Sequence, residues 1–88
     1  MNNKFYLNPV DGHKSFYKKA VVLENNNRLT LRSYNTEVAE FDRTSGKFAR
    51  LWGGYSATTM RHINAFASYC GLRDGGKAWW DSLPCEQL

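Results

Sequence analysis

The sequence predicts an α+β fold, a small four-stranded antiparallel meander with one C-terminal helix packed on one face. The first observation behind it is a series of short apolar and alternating segments, separated by turn-forming residues, before residue 53. The second is a run with apolar residues at three- and four-residue intervals after residue 56. The third is the length of 88 residues, which suits a single domain. The chain divides into an N-terminal arm at 1–14, the α+β domain at 15–71 and a C-terminal tail at 72–88.

An irregular arm is expected to precede the first hairpin. Residues 1–14 mix Asn, Pro, Asp, Gly and His, a turn-forming composition, so this arm is expected to dock loosely on the domain. The β-branched and aromatic content then rises over 15–23, and three asparagines interrupt the pattern at 25–27. A second segment at 28–32 alternates polar and apolar residues, so the two segments are expected to pair as a hairpin.

Two further strands continue the meander. In the segment 28–32 the two leucines are expected to point inward, which places Arg28, Thr30 and Arg32 together on the opposite face. The third strand is predicted at 37–42, and turn-forming residues separate it from a fourth strand at 47–52.

One amphipathic helix is predicted at 57–70. Two glycines break the strand pattern before it, and Ser56 is well placed to cap its N-terminus. Gly71 is the natural residue to end it. Arg61 lies on the side of the helix that is expected to face water. The core-facing residues of this helix are Met60, Ile63, Phe66, Ala67 and Cys70.

Composition limits the class of protein. The formal net charge is +4, which permits attraction to nucleic acid or to an acidic protein surface without requiring either. Two cysteines are too few for a disulfide framework, so reduced thiols and a cytoplasmic location are expected. No apolar run approaches the length of a signal peptide or a membrane span, so no membrane association is expected.

The histidines and cysteines do not form a recognisable catalytic or metal-binding pattern. A general base at His62 would need a nucleophile or an orienting carboxylate, and no acidic residue lies on the predicted helix. His62 and Cys70 are eight residues apart, about 12 Å of helical rise, so they cannot share one zinc ion. We therefore expect no enzyme, no catalytic residues, no cofactor and no metal.

Basic residues are the first candidates for binding a partner. If the outer face of the sheet collects the arginines and lysine of two strands, it would suit phosphate groups, with Tyr17 or Tyr34 stacking on bases. The competing interpretation is that these are solvated strand residues which discourage edge pairing. The predicted basic binding residues are Arg28, Arg32, Lys47 and Arg50 on the sheet and Arg61 on the helix.

Adjacent tryptophans in the tail are the second candidate. Trp79 and Trp80 cannot easily both be buried against the same surface, so one is expected to complete the core while the other is exposed. An exposed Trp is a common interface residue. The alternative is that both close the open side of the sheet.

Two sequence segments carry a resemblance to a known group of proteins. These are S-Y-N-T-E-V-A at 33–39 and W-G-G-Y-S-A-T-T-M-R-H-I-N-A-F at 52–66. With the hairpin between them, they resemble an uncharacterised family of small proteins of Gram-positive bacteria, their plasmids and phages. The likeness covers about residues 14–71, so the tryptophan tail lies outside it. The matching polar positions are Ser33, Tyr34, Thr36, Ser56, Thr58, Thr59, Arg61 and His62.

The resemblance implies a small non-enzymatic binding protein of a phage or mobile element. Such proteins often bind a host factor, so the expected partner is a host protein, most plausibly a CRISPR effector nuclease that is inhibited by occlusion of a working surface. The expected location is then the cytoplasm of a bacterial host. The alternative is a nucleic-acid-binding module that uses the basic sheet face. No residue pattern specifies an oligomeric state.

Overall fold

The sheet contains five antiparallel strands in sequence order, and two helices follow it. A computed structural model describes residues 2–7, 19–54, 56–72 and 76–85. Neighbouring strands pair in the order β1-β2-β3-β4-β5, as expected for a meander. The elements are β1 (Asn2–Tyr6), β2 (Ala20–Asn25), β3 (Arg28–Ser33), β4 (Thr36–Asp42), β5 (Lys47–Arg50), α1 (Ala57–Tyr69) and α2 (Gly76–Ser82).

The predicted α+β class is confirmed, with one more strand and one more helix than expected. β1 lies inside the stretch predicted as a loosely docked arm, and it pairs with β2 in register over its whole length. Only its two aromatic residues favour a strand, while Asn2, Asn3 and Lys4 do not, so pairing with β2 is what defines it. The extra helix is α2, which lies in the stretch predicted only as a C-terminal tail. The predicted start of the first strand at 15–18 lies outside the described residues.

Strand register separates two faces of the sheet. Directly opposed residues share a face, so Ala20, Val22, Leu29 and Leu31 lie on the face that the helices cover. A β-bulge between Leu31 and Arg32 shifts the register with β4. The other face, here called the outer face, carries Lys4, Tyr6, Val21, Leu23, Asn25, Arg28, Thr30, Arg32, Glu37, Glu40, Asp42, Lys47 and Ala49.

Helix α1 has the predicted caps. The hydroxyl of Ser56 accepts a hydrogen bond from the backbone N–H of Thr59 at 3.0 Å, which satisfies one of the free donors of the first turn. At the other end Gly71 adopts φ +83°, and the backbone N–H of Leu72 bonds back to the carbonyl of Ala67 at 2.9 Å. This is a Schellman ending, which needs a residue able to take a positive φ.

The core lies between the sheet and the helices. Ile63 and Phe66 of α1 are fully buried, and the Phe66 ring lies 5.8 Å from the ring of Phe48 on β5. Trp80 of α2 joins the same cluster with no exposed surface. Burying a side chain of this size stabilises a domain of this length by about 2–3 kcal/mol. None of the helices described is long and apolar enough to cross a membrane.

Candidate functional site

Three buried polar side chains connect the sheet to α1. The hydroxyl of Ser33, at the end of β3, lies 2.7 Å from Nδ1 of His62 and 3.2 Å from the hydroxyl of Thr59. Thr59 and His62 are three residues apart and therefore adjoin on one face of the helix. Ser33 and His62 are only 2% and 1% exposed. Because buried polar groups are costly without partners, this cluster fixes how the helix sits on the sheet.

Tyr34 covers this cluster from the solvent side. Its ring centroid lies 5.7 Å from that of His62, and the residue is 49% exposed. Its backbone has φ +56°, a left-handed conformation that is uncommon for a bulky residue and costs about 1–3 kcal/mol. Glycine or asparagine would adopt this backbone conformation at a lower energetic cost. The presence of tyrosine therefore points to a role for its side chain.

Burial sets the protonation state of the cluster. Desolvation lowers the pKa of His62, and the neighbouring Arg61 lowers it further. The imidazole is therefore neutral at pH 7, and its Nδ1 is a hydrogen-bonding partner of the Ser33 hydroxyl. A serine beside a histidine is the beginning of a nucleophilic pair, but both side chains are closed to solvent and to any substrate. The geometry favours a structural function for these residues.

The outer face brings together three of the predicted basic residues. Arg28 and Arg32 project from β3, as predicted, and Lys47 projects from β5. Acidic residues of β4 stand between them: Arg28 is directly opposite Asp42, and its Nη1 lies 3.3 Å from Oε1 of Glu40. The face therefore alternates basic and acidic strands and is not the uniformly basic surface that the sequence analysis considered.

Arg50 is not on the outer face, which corrects the prediction. Side chains alternate along a strand, so residues 47 and 50 lie on opposite faces of β5. Arg50 is 8% exposed and stacks against the Trp80 ring, with 4.6 Å between the guanidinium carbon and the ring centroid. It donates to four carbonyls, those of Trp52, Gly54, Trp80 and Leu83, at 2.9, 3.4, 2.7 and 3.3 Å. Arg50 therefore ties the last strand to α2 and cannot meet a partner.

The two tryptophans have different environments, and Trp79 is less exposed than the first interpretation expected. Trp80 is fully buried, and its indole N–H donates to the carbonyl of Gly54 at 3.1 Å. A Cβ at Gly54 would lie 2.5 Å from the Trp52 ring, so only glycine fits beside that ring. Trp79 is half-buried, with its ring 5.0 Å from that of Phe48. Trp80 is thus ruled out as an exposed binding residue, while part of Trp79 stays accessible.

Three further residues considered for binding or chemistry are Arg61, Tyr17 and Cys70. Arg61 is half-buried on α1 instead of fully facing water. Tyr17, proposed as a stacking residue, lies outside the described residues. Cys70 is half-buried, and burial raises the pKa of its thiol to about 12, so it is a poor nucleophile and metal ligand. No three His, Cys, Asp or Glu side chains converge as a metal site in the described part of the chain.

The buried cluster of Ser33, Thr59 and His62 was not predicted as a unit. Ser33, Tyr34, Thr59 and His62 were all among the positions that carried the resemblance, and that was the only signal in the sequence that joined them. The two segments of the signature meet in space at this cluster.

The comparison with known protein families assigns the chain to one of them. A family model described as a family of unknown function, DUF8033, matches residues 5–82, from within β1 to the end of α2. The chain belongs to this family. The matched range includes the buried cluster, the outer face and the tryptophan pair. No curated protein matches the sequence. No solved structure matches it either.

Proposed function

We propose that this protein is a non-enzymatic binding protein that occludes a surface of a protein partner through the outer face of its sheet. The observation that carries the proposal is the charge pattern of that face. β3 and β5 present basic side chains and β4 presents acidic ones, while both helices pack on the opposite face.

The near balance of charge on the outer face favours a protein partner. Four cationic side chains (Lys4, Arg28, Arg32 and Lys47) share it with the three carboxylates of β4 (Glu37, Glu40 and Asp42). A row of carboxylates repels a phosphate backbone, whereas protein interfaces commonly match basic and acidic groups across the contact. Arg28 is open to a partner, with 60% of its side chain exposed.

The resemblance stated above suggests which partner to test first. Small binding proteins of phages and mobile elements often bind a host factor in the bacterial cytoplasm, and defence nucleases are among those factors. We therefore infer that the partner is a host defence nuclease such as a CRISPR effector, inhibited because a working surface is covered. A half-exposed Trp79 next to Phe48 offers an additional apolar contact.

The test is inhibition of DNA cleavage by a panel of purified CRISPR effector nucleases. We expect the wild-type chain to inhibit at least one, and the double variant Arg28→Gln/Lys47→Gln to need about tenfold more protein for the same inhibition, equivalent to about 1.4 kcal/mol. The matched control, Arg43→Gln/Lys77→Gln, also removes two exposed cations but lies off the outer face, and it should inhibit like wild type.

The possible failures are distinguishable. If no effector is inhibited, the nuclease partner is wrong. If the control variant loses inhibition to the same extent as Arg28→Gln/Lys47→Gln, overall charge matters and the outer face is not the binding surface. Circular dichroism of each variant shows that the fold is retained.

A second candidate function is binding of nucleic acid. The observation that favours it is that Arg28, Arg32 and Lys47 do share one face. Phosphate contacts would make the affinity fall steeply with salt, which separates this candidate from a protein interface.

A further inference from the structure

The edge of the sheet at β1 has backbone groups that point away from the sheet. The N–H of Leu7 donates to the carbonyl of Ala20 at 2.9 Å, and these residues are directly opposed by the register of β1 and β2. In an antiparallel pair, hydrogen-bonded and non-hydrogen-bonded pairs alternate. Phe5 therefore bonds to β2, while the N–H and C=O of Lys4 point outward. No backbone group in the described ranges bonds to them there.

The two edges of the sheet differ. At β5 the chain returns, and Cys85 forms a parallel bridge with Arg50. That contact covers part of an edge which is only four residues long. β1 is longer and contains no proline, which leaves it the better template for an added strand.

Exposed aromatic rings stand on both sides of the β1 edge. Tyr6 is 45% exposed on the outer face, beside the ammonium group of Lys4, which lies 5.9 Å from its ring centroid. On the helix-covered face Tyr69 is 50% exposed, and its ring lies 5.1 Å from that of Phe5. These are two of the three large hydrophobic residues that are exposed in the described ranges. An added strand would cover apolar surface on both faces.

We propose that the β1 edge is a β-augmentation site for an extended segment of a protein partner. The segment places an acidic side chain opposite Lys4 and apolar side chains on the helix-covered side, against Phe5 and Tyr69. Backbone bonds to Lys4 supply part of the affinity, and the alternating side chains supply the specificity. The site shares Lys4 with the outer face, but strand addition uses the backbone edge of β1 and needs no charged residue of β3 to β5, so it does not depend on the function proposed above.

A second copy of this chain is a poorer occupant than an acidic segment. The antiparallel register that pairs all five residues of β1 with another β1 is centred on Lys4. It places the two Lys4 side chains directly opposite each other, and like charges in that position destabilise a pair. A carboxylate at the same position gives a favourable cross-strand pair instead.

The test uses the full isotopically labelled chain and a synthetic peptide, N-acetyl-Thr-Val-Glu-Val-Thr-amide. Paired antiparallel with all five residues of β1, the peptide places its glutamate opposite Lys4 and its valines on the helix-covered side. We expect the amide resonance of Lys4 to shift on titration and its hydrogen exchange to slow. Two control peptides are a version with lysine in the centre and a version whose glutamate nitrogen is methylated, which removes the donor to the Lys4 carbonyl.

The proposal requires the N-methylated peptide to leave the Lys4 amide unchanged and the lysine peptide to bind about threefold more weakly. In a Lys4→Glu chain, whose substituted side chain is exposed, the preference between the two peptides should reverse. Equal shifts with the N-methylated peptide, or shifts confined to β5, would overturn the site. Concentration-dependent shifts of Lys4 without peptide would overturn the acidic segment in favour of a second copy.

Discussion

At the scale of single residues, His62 is the group whose environment has the clearest consequence for stability. Its imidazole is buried against Ser33 and Tyr34, and burial together with Arg61 lowers its pKa below the ordinary value of 6.5. In the unfolded chain the residue regains that ordinary value. Between the two pKa values the unfolded state binds more protons, so the free energy of unfolding rises with pH. This stabilisation is complete above about pH 6.5 and is lost as the pH falls through the folded pKa.

We expect this dependence to disappear in a His62→Asn variant, whose amide keeps a polar group near the position of Nδ1. Urea unfolding of both chains at pH 7.5 and pH 5.5 measures the difference. The wild-type chain should lose more stability on acidification than the variant, because carboxylates titrate in both and cancel in the comparison. An identical loss in the two chains would show that His62 protonation is not linked to folding.

Arg50 shows how far side-chain direction can be predicted at this scale. Lys47 and Arg50 were assigned to one face, although an odd separation places residues on opposite faces of a regular strand. Arg28 and Arg32 are separated by an even number, and their shared face was predicted correctly. An odd or even separation along a strand was therefore enough to predict whether two side chains share a face. The sequence does not show where the Arg50 side chain goes, since its carbonyl partners lie at residues 52 and 54, in α2 and at Leu83 just after α2.

At the scale of secondary structure, α2 buries its two tryptophans to different extents. Trp80 has no exposed surface and a hydrogen-bonded indole, whereas Trp79 is half-buried against Phe48. We expect Trp80→Ala to cost about 3–5 kcal/mol and Trp79→Ala about 1–2 kcal/mol in the free energy of unfolding. Urea denaturation monitored by circular dichroism compares them. Equal losses would contradict the packing of α2, and only the Trp79 variant is suitable for testing partner binding.

Most elements were predictable because their local patterns agree with the final fold. The capped helix and the alternation in β3 are local signals, and both lie where they were predicted. β1 was missed because three of its five residues, Asn2, Asn3 and Lys4, disfavour strands, and its pairing with β2 is not a local signal. The buried cluster was missed for a similar reason. Ser33 and His62 are 29 residues apart, and no periodicity links positions on two different elements.

At the scale of the whole molecule, the net charge of +4 is a weaker guide to the partner than its distribution. The four cations of the outer face stand beside three carboxylates, so few phosphate contacts are available at once. Each phosphate contact contributes about 0.9 to the slope of log affinity against log salt. Four contacts would give a slope no steeper than about −4, which is modest for a specific nucleic-acid binder.

We therefore expect no retardation of single- or double-stranded DNA, or of RNA, in native gels at about 50 mM salt. The Glu40→Gln/Asp42→Asn variant is the informative comparison, because it removes two carboxylates from the outer face and leaves the cations in place. If that variant retards DNA while the wild-type chain does not, the acidic strand is what excludes phosphates from this surface. Retardation by the wild-type chain that persists at about 150 mM salt would instead support the nucleic-acid function over the protein partner. Salt at this concentration weakens phosphate contacts, so continued binding would require a larger basic surface than these four cations.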